Sequence, residues 1–193
     1  MNNIIHLDSS IMGDNSVSRQ LTMQVVKHIN QGQEATTYID LAQQQLPALD
    51  SFTAGSFFTP EEHRNAEQQA IATISENLIA QLKAADVIVI GVPMYNFTIP
   101  TQLKTYFDLV ARAGLTFQYT DTGPKGLLEN KTAYLVVSSG GDYRGQPSDF
   151  VTPYVKLMLG FIGITDVRLI TAAGTAMDKV AALASAQETI SAL

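Results

Sequence analysis

The 193-residue chain contains no cysteine. That excludes disulfides, a thiolate nucleophile and thiolate metal ligands, so any redox chemistry has to come from a bound cofactor. Basic residues are scarce: 12 Lys and Arg stand against 18 Asp and Glu, a formal net charge of −6. No basic cluster reverses that balance locally, and long-range repulsion opposes binding to nucleic acid or to an anionic membrane surface. Long hydrophobic runs are missing too. The most apolar stretch, residues 151–164, is interrupted by Pro153, Lys156, Gly160 and Gly163 and falls short of the roughly 20 residues a spanning helix needs. Residues 1–8 lack a basic n-region and a full apolar h-region, so they do not form a secretory signal, and a cytoplasmic location is expected. The three histidines, His6, His28 and His63, have no ligand spacing, and no metal site is expected. His6 fits a packed or hydrogen-bonded role in a strand. No repeat or low-complexity segment divides the chain, which is expected to form one domain over residues 1–193.

What is present is an alternation of short aliphatic runs and longer helical patterns. Residues 3–8 form a strand pattern, and from Ser16 or Ser18 a helix follows with Leu21, Val25, Val26 and Ile29 at helical spacing. Residues 36–41 are a second, β-branched strand. The polar stretch 47–59 has turn composition, and Pro60 behind Thr59 as N-cap opens a long helix that carries Ile71, Ile74, Leu78, Ile79 and Leu82 inward to about Ala85. Residues 87–92 show no polar alternation, as a strand covered on both faces requires. A third helix spans 101–113, with Leu103, Phe107 and Val110 on one stripe and Gly114 just beyond. On it Lys104, Asp108 and Arg112 share a face suited to ion pairs. A strand at 131–138, a helix at 148–161, a strand at 165–171 and a helix from about Ala176 complete the pattern. Five βα units in strict alternation predict an α/β fold, a doubly wound five-stranded parallel sheet of order 2-1-3-4-5 between two helical layers. Ligands of such sheets sit at the carboxyl ends of the strands, where the order reverses between strands one and three.

Three loops lead there. After strand one, Ser9 and Ser10, then Ser16 and Ser18, flank a Gly-Asp-Asn turn, and the second cluster lies at a helix N-terminus able to hold a phosphate without a lysine. Neither the P-loop ending nor the Gly-x-Gly-x-x-Gly fingerprint is present, so a phosphate monoester fits better than an adenine nucleotide. A plain capping role for Ser16 or Ser18 is the simpler alternative. After strand three, Pro93 and Pro100 bracket Met94-Tyr95-Asn96-Phe97, a polarisable and aromatic surface with an amide able to read ring heteroatoms. After strand four, Ser138-Ser139-Gly140-Gly141 lets backbone N–H groups approach a flat ligand. A phosphate monoester at the first loop and a broad polar ring between the others describe FMN.

Those motifs resemble the FMN-dependent NADH:quinone oxidoreductases, also described as azoreductases, which share the flavodoxin-like fold. The resemblance covers essentially the whole chain. It is carried by Pro93-Met94-Tyr95-Asn96-Phe97, by the run from Gln102 through Leu103-Lys104-Thr105-Tyr106-Phe107-Asp108 to Gly114, and by Leu159-Gly160-Phe161-Ile162-Gly163-Ile164. It implies phosphate contacts from Ser10, Ser16, Val17 and Ser18. It further implies ring contacts from Met94, Tyr95, Asn96 and Phe97 and from Ser138, Ser139, Gly140 and Gly141. NADH, with NADPH as the alternative donor, would reduce the flavin and leave before a quinone or azo compound takes its place, a ping-pong scheme with no obligatory catalytic side chain. Family members are homodimers, so Tyr119 and Phe161 are candidates to shape the substrate pocket, one of them from the partner subunit. The apolar stripe of Phe150, Tyr154, Leu157, Met158 and Phe161 suits such an interface, with core packing as the alternative. Ser139 departs from the family, where arginine can precede the glycine pair, and residues 51–58 form a short lid.

Two other functions compete. A one-electron carrier of the flavodoxin type would bind FMN but needs no aromatic pocket such as Phe97, Tyr119 and Phe161 offer. A phosphoacceptor signalling domain on the same sheet needs an aspartate after strand three and a lysine after strand five. The chain has Pro93-Met94 and Ala172-Ala173-Gly174 there.

Overall fold

Five parallel strands form the central sheet in the computed structural model, which describes residues 3–30 and 35–193. They are β1 (Ile4–Asp8), β2 (Thr36–Asp40), β3 (Val87–Pro93), β6 (Thr132–Ser139) and β7 (Asp166–Ala173), aligned in the order β2-β1-β3-β6-β7. This is the 2-1-3-4-5 arrangement expected from the alternation. The skipped numbers belong to an antiparallel hairpin, β4 (Phe117–Thr120) and β5 (Gly123–Gly126). The helices are α1 (Val17–Ile29), α2 (Ser51–Phe58), α3 (Ala66–Ala84), α4 (Thr101–Val110), α5 (Thr152–Phe161) and α6 (Lys179–Ser191).

Alternate side chains of the same strands feed two cores. Ile4, Val89, Tyr134 and Val136 pack with Leu21 and Val25 of α1 and Ala182, Ala186 and Ile190 of α6. Ile5, Leu7, Ile88, Ile90, Leu135 and Val137 pack on the other face with Leu78 and Leu82 of α3, Leu103 and Phe107 of α4, and Val155 and Leu159 of α5. The result is a three-layer α/β/α structure, with each buried aliphatic side chain contributing about 1.5–3 kcal/mol of transfer free energy. Among the described residues no helix is long and apolar enough to cross a membrane.

Two regions differ from the sequence expectation. Residues 51–58, assigned to the polar loop and lid, form helix α2, capped by Asp50, whose Oδ1 accepts the Thr53 N–H at 2.7 Å. Thr59 therefore closes a helix instead of opening one, and Pro60 begins only a 3₁₀ turn over Glu61–His63. The long helix starts at Ala66, because Asn65 and Gln68 form a reciprocal capping box, which satisfies two amide donors where Thr59 would satisfy one. At the other end of the α4 region, Thr116 Oγ1 donates to Val110 O and accepts the Arg112 N–H. The helix stops at Val110, Arg112 leaves the face shared by Lys104 and Asp108, and only those two form the ion pair. Smaller boundary shifts occur elsewhere: β6 and β7 each start one residue later than expected, α5 starts at Thr152, and α6 starts at Lys179 behind its cap Asp178.

The β4–β5 hairpin is a departure of another kind, since Gly-Pro-Lys-Gly carries no strand signal. Its seat is the end of α5, where Leu127 N–H and Leu128 N–H both donate to Ile162 O, at 3.1 and 2.9 Å.

Candidate functional site

At the carboxyl ends of the strands a cleft opens between the loops that follow β1, β3, β6 and β7. The first loop supplies Ser10, Met12, Asn15, Ser16 and Val17. Ser16 is the N-cap of α1: its Oγ accepts the Arg19 N–H at 3.2 Å and stands 3.1 Å from Ser18 Oγ. The N–H groups of Val17 and Ser18, in the first turn, have no protein acceptor among the described residues. These amides and the positive end of the helix dipole are the elements of an anion site.

The β3 loop is a tight two-residue turn. Tyr95 and Thr98 exchange both backbone hydrogen bonds, at 2.9 and 3.1 Å, and Asn96 and Phe97 between them have φ of 50° and 68°. Both central residues at positive φ define a type I′ turn. Asparagine tolerates that conformation, whereas for phenylalanine it costs about 1–2 kcal/mol. The strain is held by neighbours: Phe97 meets the Tyr143 ring edge-on at 5.5 Å, and Tyr95 OH stands 3.0 Å from Ser10 Oγ and accepts the Ile11 N–H at 3.3 Å. Rigidity in this loop thus comes from the turn as well as from the flanking prolines. The Asn96 and Phe97 amides, like those of Gly140 and Gly141, have no protein acceptor among the described residues.

The loop after β6 is braced from behind. Thr175 N–H and Oγ1 both donate to Ser139 O at 3.0 Å, and Gly174 N–H donates to Gly141 O at 3.1 Å. Thr175 lines the cleft, as do Met12, Asn15 and Pro93, and none of the four was expected from the sequence as a ligand contact. The signal for Thr175 was available, because the loop after the fifth strand ends on the same side of the sheet as the other three.

Beneath the first loop lies a buried charge network. Asp8 Oδ1 accepts Thr22 Oγ1 at 2.8 Å and Oδ2 accepts Tyr38 OH at 3.2 Å. His6 Nε2 stands 3.4 Å from Oδ2, without hydrogen-bond geometry, and Arg19 Nε stands 4.0 Å away. Arg19 also donates to Asp40 Oδ2 and Tyr38 OH, each at 2.8 Å, and to Ser10 O at 3.4 Å. Gly91 makes room for this carboxylate, since a Cβ there would lie 2.6 Å from Asp8 Oδ1. Burial alone would raise the Asp8 pKa, but the His6 imidazole, the Thr22 hydroxyl and Arg19 together hold it below the usual carboxylate range. Tyr38 is pushed up to about 12, by burial first and then by the Asp8 charge. A depressed folded-state pKa means that the Asp8 contribution is present above the unfolded value of about 3.9 and is lost as pH falls through the lower folded value. Asp8→Asn is therefore expected to cost about 2 kcal/mol at neutral pH, a difference that shrinks below about pH 4. Urea midpoints of both proteins across that range test this, and a pH-independent difference would remove the Asp8 charge as its source.

Of the residues expected at a ligand site, Ser10, Ser16, Val17, Met94, Tyr95, Ser138, Ser139 and Gly140 line this cleft. Ser18 is buried in the same first turn of α1, and Asn96, Phe97 and Gly141 belong to the adjoining turns; none of the four lines the cleft. Tyr119 and Phe161 are elsewhere in the chain. They flank Phe117, whose ring centroid is 5.5 Å from Tyr119 and 4.4 Å from Phe161, and neither lines the cleft.

Residues 2–193 match the family described as flavodoxin-like fold. The chain is 48% identical over 196 residues to the FMN-dependent NADH:quinone oxidoreductase of Vibrio vulnificus (strain YJ016), covering 100% of this chain and 99% of the relative. The chain belongs to the FMN-dependent NADH:quinone oxidoreductase family. A second member of this oxidoreductase family, FMN-dependent NADH:quinone oxidoreductase 1 of Jannaschia sp. (strain CCS1), is 48% identical with coverage of 100% and 99%. Among solved structures, an FMN-dependent NADH-azoreductase from Bacillus anthracis str. Ames Ancestor in complex with FMN superposes on this family member with a TM-score of 0.89 at 27% identity, covering 100% of this chain and 97% of the other.

Proposed function

We propose that the chain is an FMN-dependent oxidoreductase that passes two electrons from NADH to quinones and also cleaves azo compounds reductively. The observation that carries this reading is the set of free backbone amides at one cleft, Val17 and Gly140, and on the turns that adjoin it, Ser18 at the α1 terminus, Asn96 and Phe97 in the type I′ turn, and Gly141. That donor set fits FMN, a phosphate at one end and a ring with several acceptors at the other. Ser10, Ser16, Val17 and Ser18 hold the phosphate. Met94, Tyr95, Asn96 and Phe97, with Ser138, Ser139, Gly140 and Gly141, would hold the ring. FMN supplies the reversible two-electron chemistry that a chain without cysteine lacks.

The residues bind, orient and place N–H dipoles where negative charge develops. No side chain is assigned as an obligatory acid, base or nucleophile. Ping-pong kinetics are expected, with NADH leaving before the acceptor binds. The working unit is a single FMN-binding domain in a cytoplasmic homodimer, in which Tyr119, Phe161 and the α5 stripe of one copy shape the substrate pocket of the other. Exposure of Phe150, Leu157 and Tyr119 in the isolated chain supports that association.

The test is an anaerobic absorbance spectrum of the FMN-reconstituted protein, taken before NADH, after one equivalent, and after a quinone. The flavin band is expected to bleach and then return. Flavin that binds but ignores NADH would favour the one-electron carrier, and failure to retain FMN would overturn the assignment of the cleft.

A further inference from the structure

Three consecutive carbonyls in the loop after β6 are held by hydrogen bonds, and most of the donors come from one short segment. Thr175 N–H and Oγ1 donate to Ser139 O, each at 3.0 Å. Ala176 N–H donates to Gly140 O and Gly174 N–H to Gly141 O, both at 3.1 Å. Ser139 Oγ supplies the remaining bond, to Gly141 O at 2.8 Å. Ser139 O and Gly141 O thus accept two bonds each, which uses both lone pairs of each oxygen. The holding segment is itself fixed. Gly174 is buried with φ of 78°, its carbonyl accepts Met177 N–H at 2.9 Å and Asp178 N–H at 3.0 Å, and Asp178 caps α6.

A trans peptide is planar, and its N–H points opposite to its C=O. Turning Ser139 O and Gly140 O toward residues 174–176 therefore turns the Gly140 and Gly141 N–H groups away from that segment, and neither N–H has a protein acceptor among the described residues. A glycine pair does not keep such an orientation by itself, because each glycine has access to both signs of φ and the peptide between them can turn over. Gly140 lines the cleft, and so does Thr175. The Thr175 hydroxyl proton, however, is committed to Ser139 O and is not offered to a ligand. Gly174 and Ala176 do not line the cleft, so any influence they have there passes through the glycine loop.

We propose that Thr175 is a positioning residue: with Gly174 and Ala176 it keeps the Gly140 and Gly141 N–H dipoles aimed at the cleft, and thereby favours a reduced flavin ring over an oxidised one. The assignment rests on FMN as the ligand of this cleft. A ring that gains negative charge on reduction is stabilised by dipoles fixed in advance, and dipoles free to turn away lose that preference. The test is the two-electron midpoint potential of the FMN-loaded protein, read against a reference dye, for wild type, Thr175→Val and Thr175→Ser. Valine keeps the branched shape and the backbone N–H and deletes the hydroxyl. The preference for reduced flavin should fall about threefold, a shift of about 15 mV to lower potential, and serine should restore it. Thr175→Ala gives the same reading if the valine variant does not fold. A variant that loses stability at an unchanged potential overturns the proposal, because a merely structural role predicts that result. Amide exchange of the flavin-free protein reads the brace without any flavin. The Gly174 and Ala176 N–H groups should exchange slowly in wild type and in Thr175→Ser, and about threefold faster in Thr175→Val. Fast exchange in wild type, or rates indifferent to the hydroxyl, overturn the proposal even where FMN binds. Slow, hydroxyl-dependent exchange in a protein that does not retain FMN supports the brace and overturns the flavin assignment of the cleft instead, so the two failures are distinct.

Discussion

Gly126→Ala is expected to destabilise the protein by about 3 kcal/mol or more. A Cβ at that position would lie 2.1 Å from Gly163 N, 2.3 Å from Gly163 Cα and 2.4 Å from Ile162 C. All three neighbours are backbone, so no side chain can rotate out of the way. Gly163 has no slack either: its φ of 108° confines the position to glycine, and its own absent Cβ would meet Leu128 N at 2.8 Å. The paired bonds from Leu127 and Leu128 to Ile162 O are the seat of the hairpin, and the added methyl has to break them. Gly160→Ala, inside helix α5, is the control. Nothing lies within 4 Å of its built Cβ, and glycine to alanine inside a helix gains up to about 1 kcal/mol. Urea denaturation should therefore move the two midpoints in opposite directions. If Gly126→Ala unfolds with the wild type, the β5 and α5 backbones do not approach as closely as described. The same displacement carries Phe117 and Tyr119 of β4 away from Phe161 of α5, so on the proposed role of Tyr119 and Phe161 activity toward acceptors should fall even where folded protein remains.

The central sheet was legible because its strands leave no ambiguity: Ile88 through Val92 and Ala133 through Val137 are apolar without alternation, which only a strand covered on both faces explains. The three cleft loops were legible for the same reason, since the order of the strands places them together. Helix α2 was hidden by composition. Ser51-Phe52-Thr53-Ala54-Gly55-Ser56 offers no helical stripe, and its strongest local signal was the cap Asp50. The hairpin was hidden because β5 pairs through Gly-Pro-Lys-Gly, and it is selected by tertiary contact with Gly163 rather than by local preference. Arg112 was placed on an ion-pair face by its spacing from Asp108. A single threonine hydroxyl four residues later ends the helix and turns that side chain inward, and no periodicity reports a tertiary event of that kind. The structure also gives a reason for the Asn96-Phe97 pair that side-chain chemistry did not: asparagine suits a positive-φ turn, and a strained phenylalanine beside it points to a geometry retained for a ligand.

Ser16→Asp separates the two roles that Ser16 has in the sequence, helix cap and phosphate site. Aspartate caps a helix about as well as serine and gains from the dipole, so the stability of the flavin-free protein should be unchanged or slightly raised. FMN affinity should instead fall about 100-fold or more, about 2.8 kcal/mol. Two unit charges about 4 Å apart interact by about 4 kcal/mol at the effective dielectric near a protein surface. Salt and the open side of the cleft reduce that figure, while the second phosphate charge adds to it. Fluorescence titration measures the loss, and riboflavin supplies the internal control, because it carries the same ring without the phosphate and should bind wild type and variant alike. Ser16→Ala moves the quantities the other way round. It loses about 1 kcal/mol of cap energy and keeps the Val17 and Ser18 amides, so FMN binding weakens only several-fold, about 1 kcal/mol. FMN and riboflavin responding equally to Ser16→Asp would mean that the phosphate does not sit at the α1 terminus. The free amides of Val17 and Ser18 would then be solvated helix ends, and the orientation of the flavin in the cleft would have to be reversed.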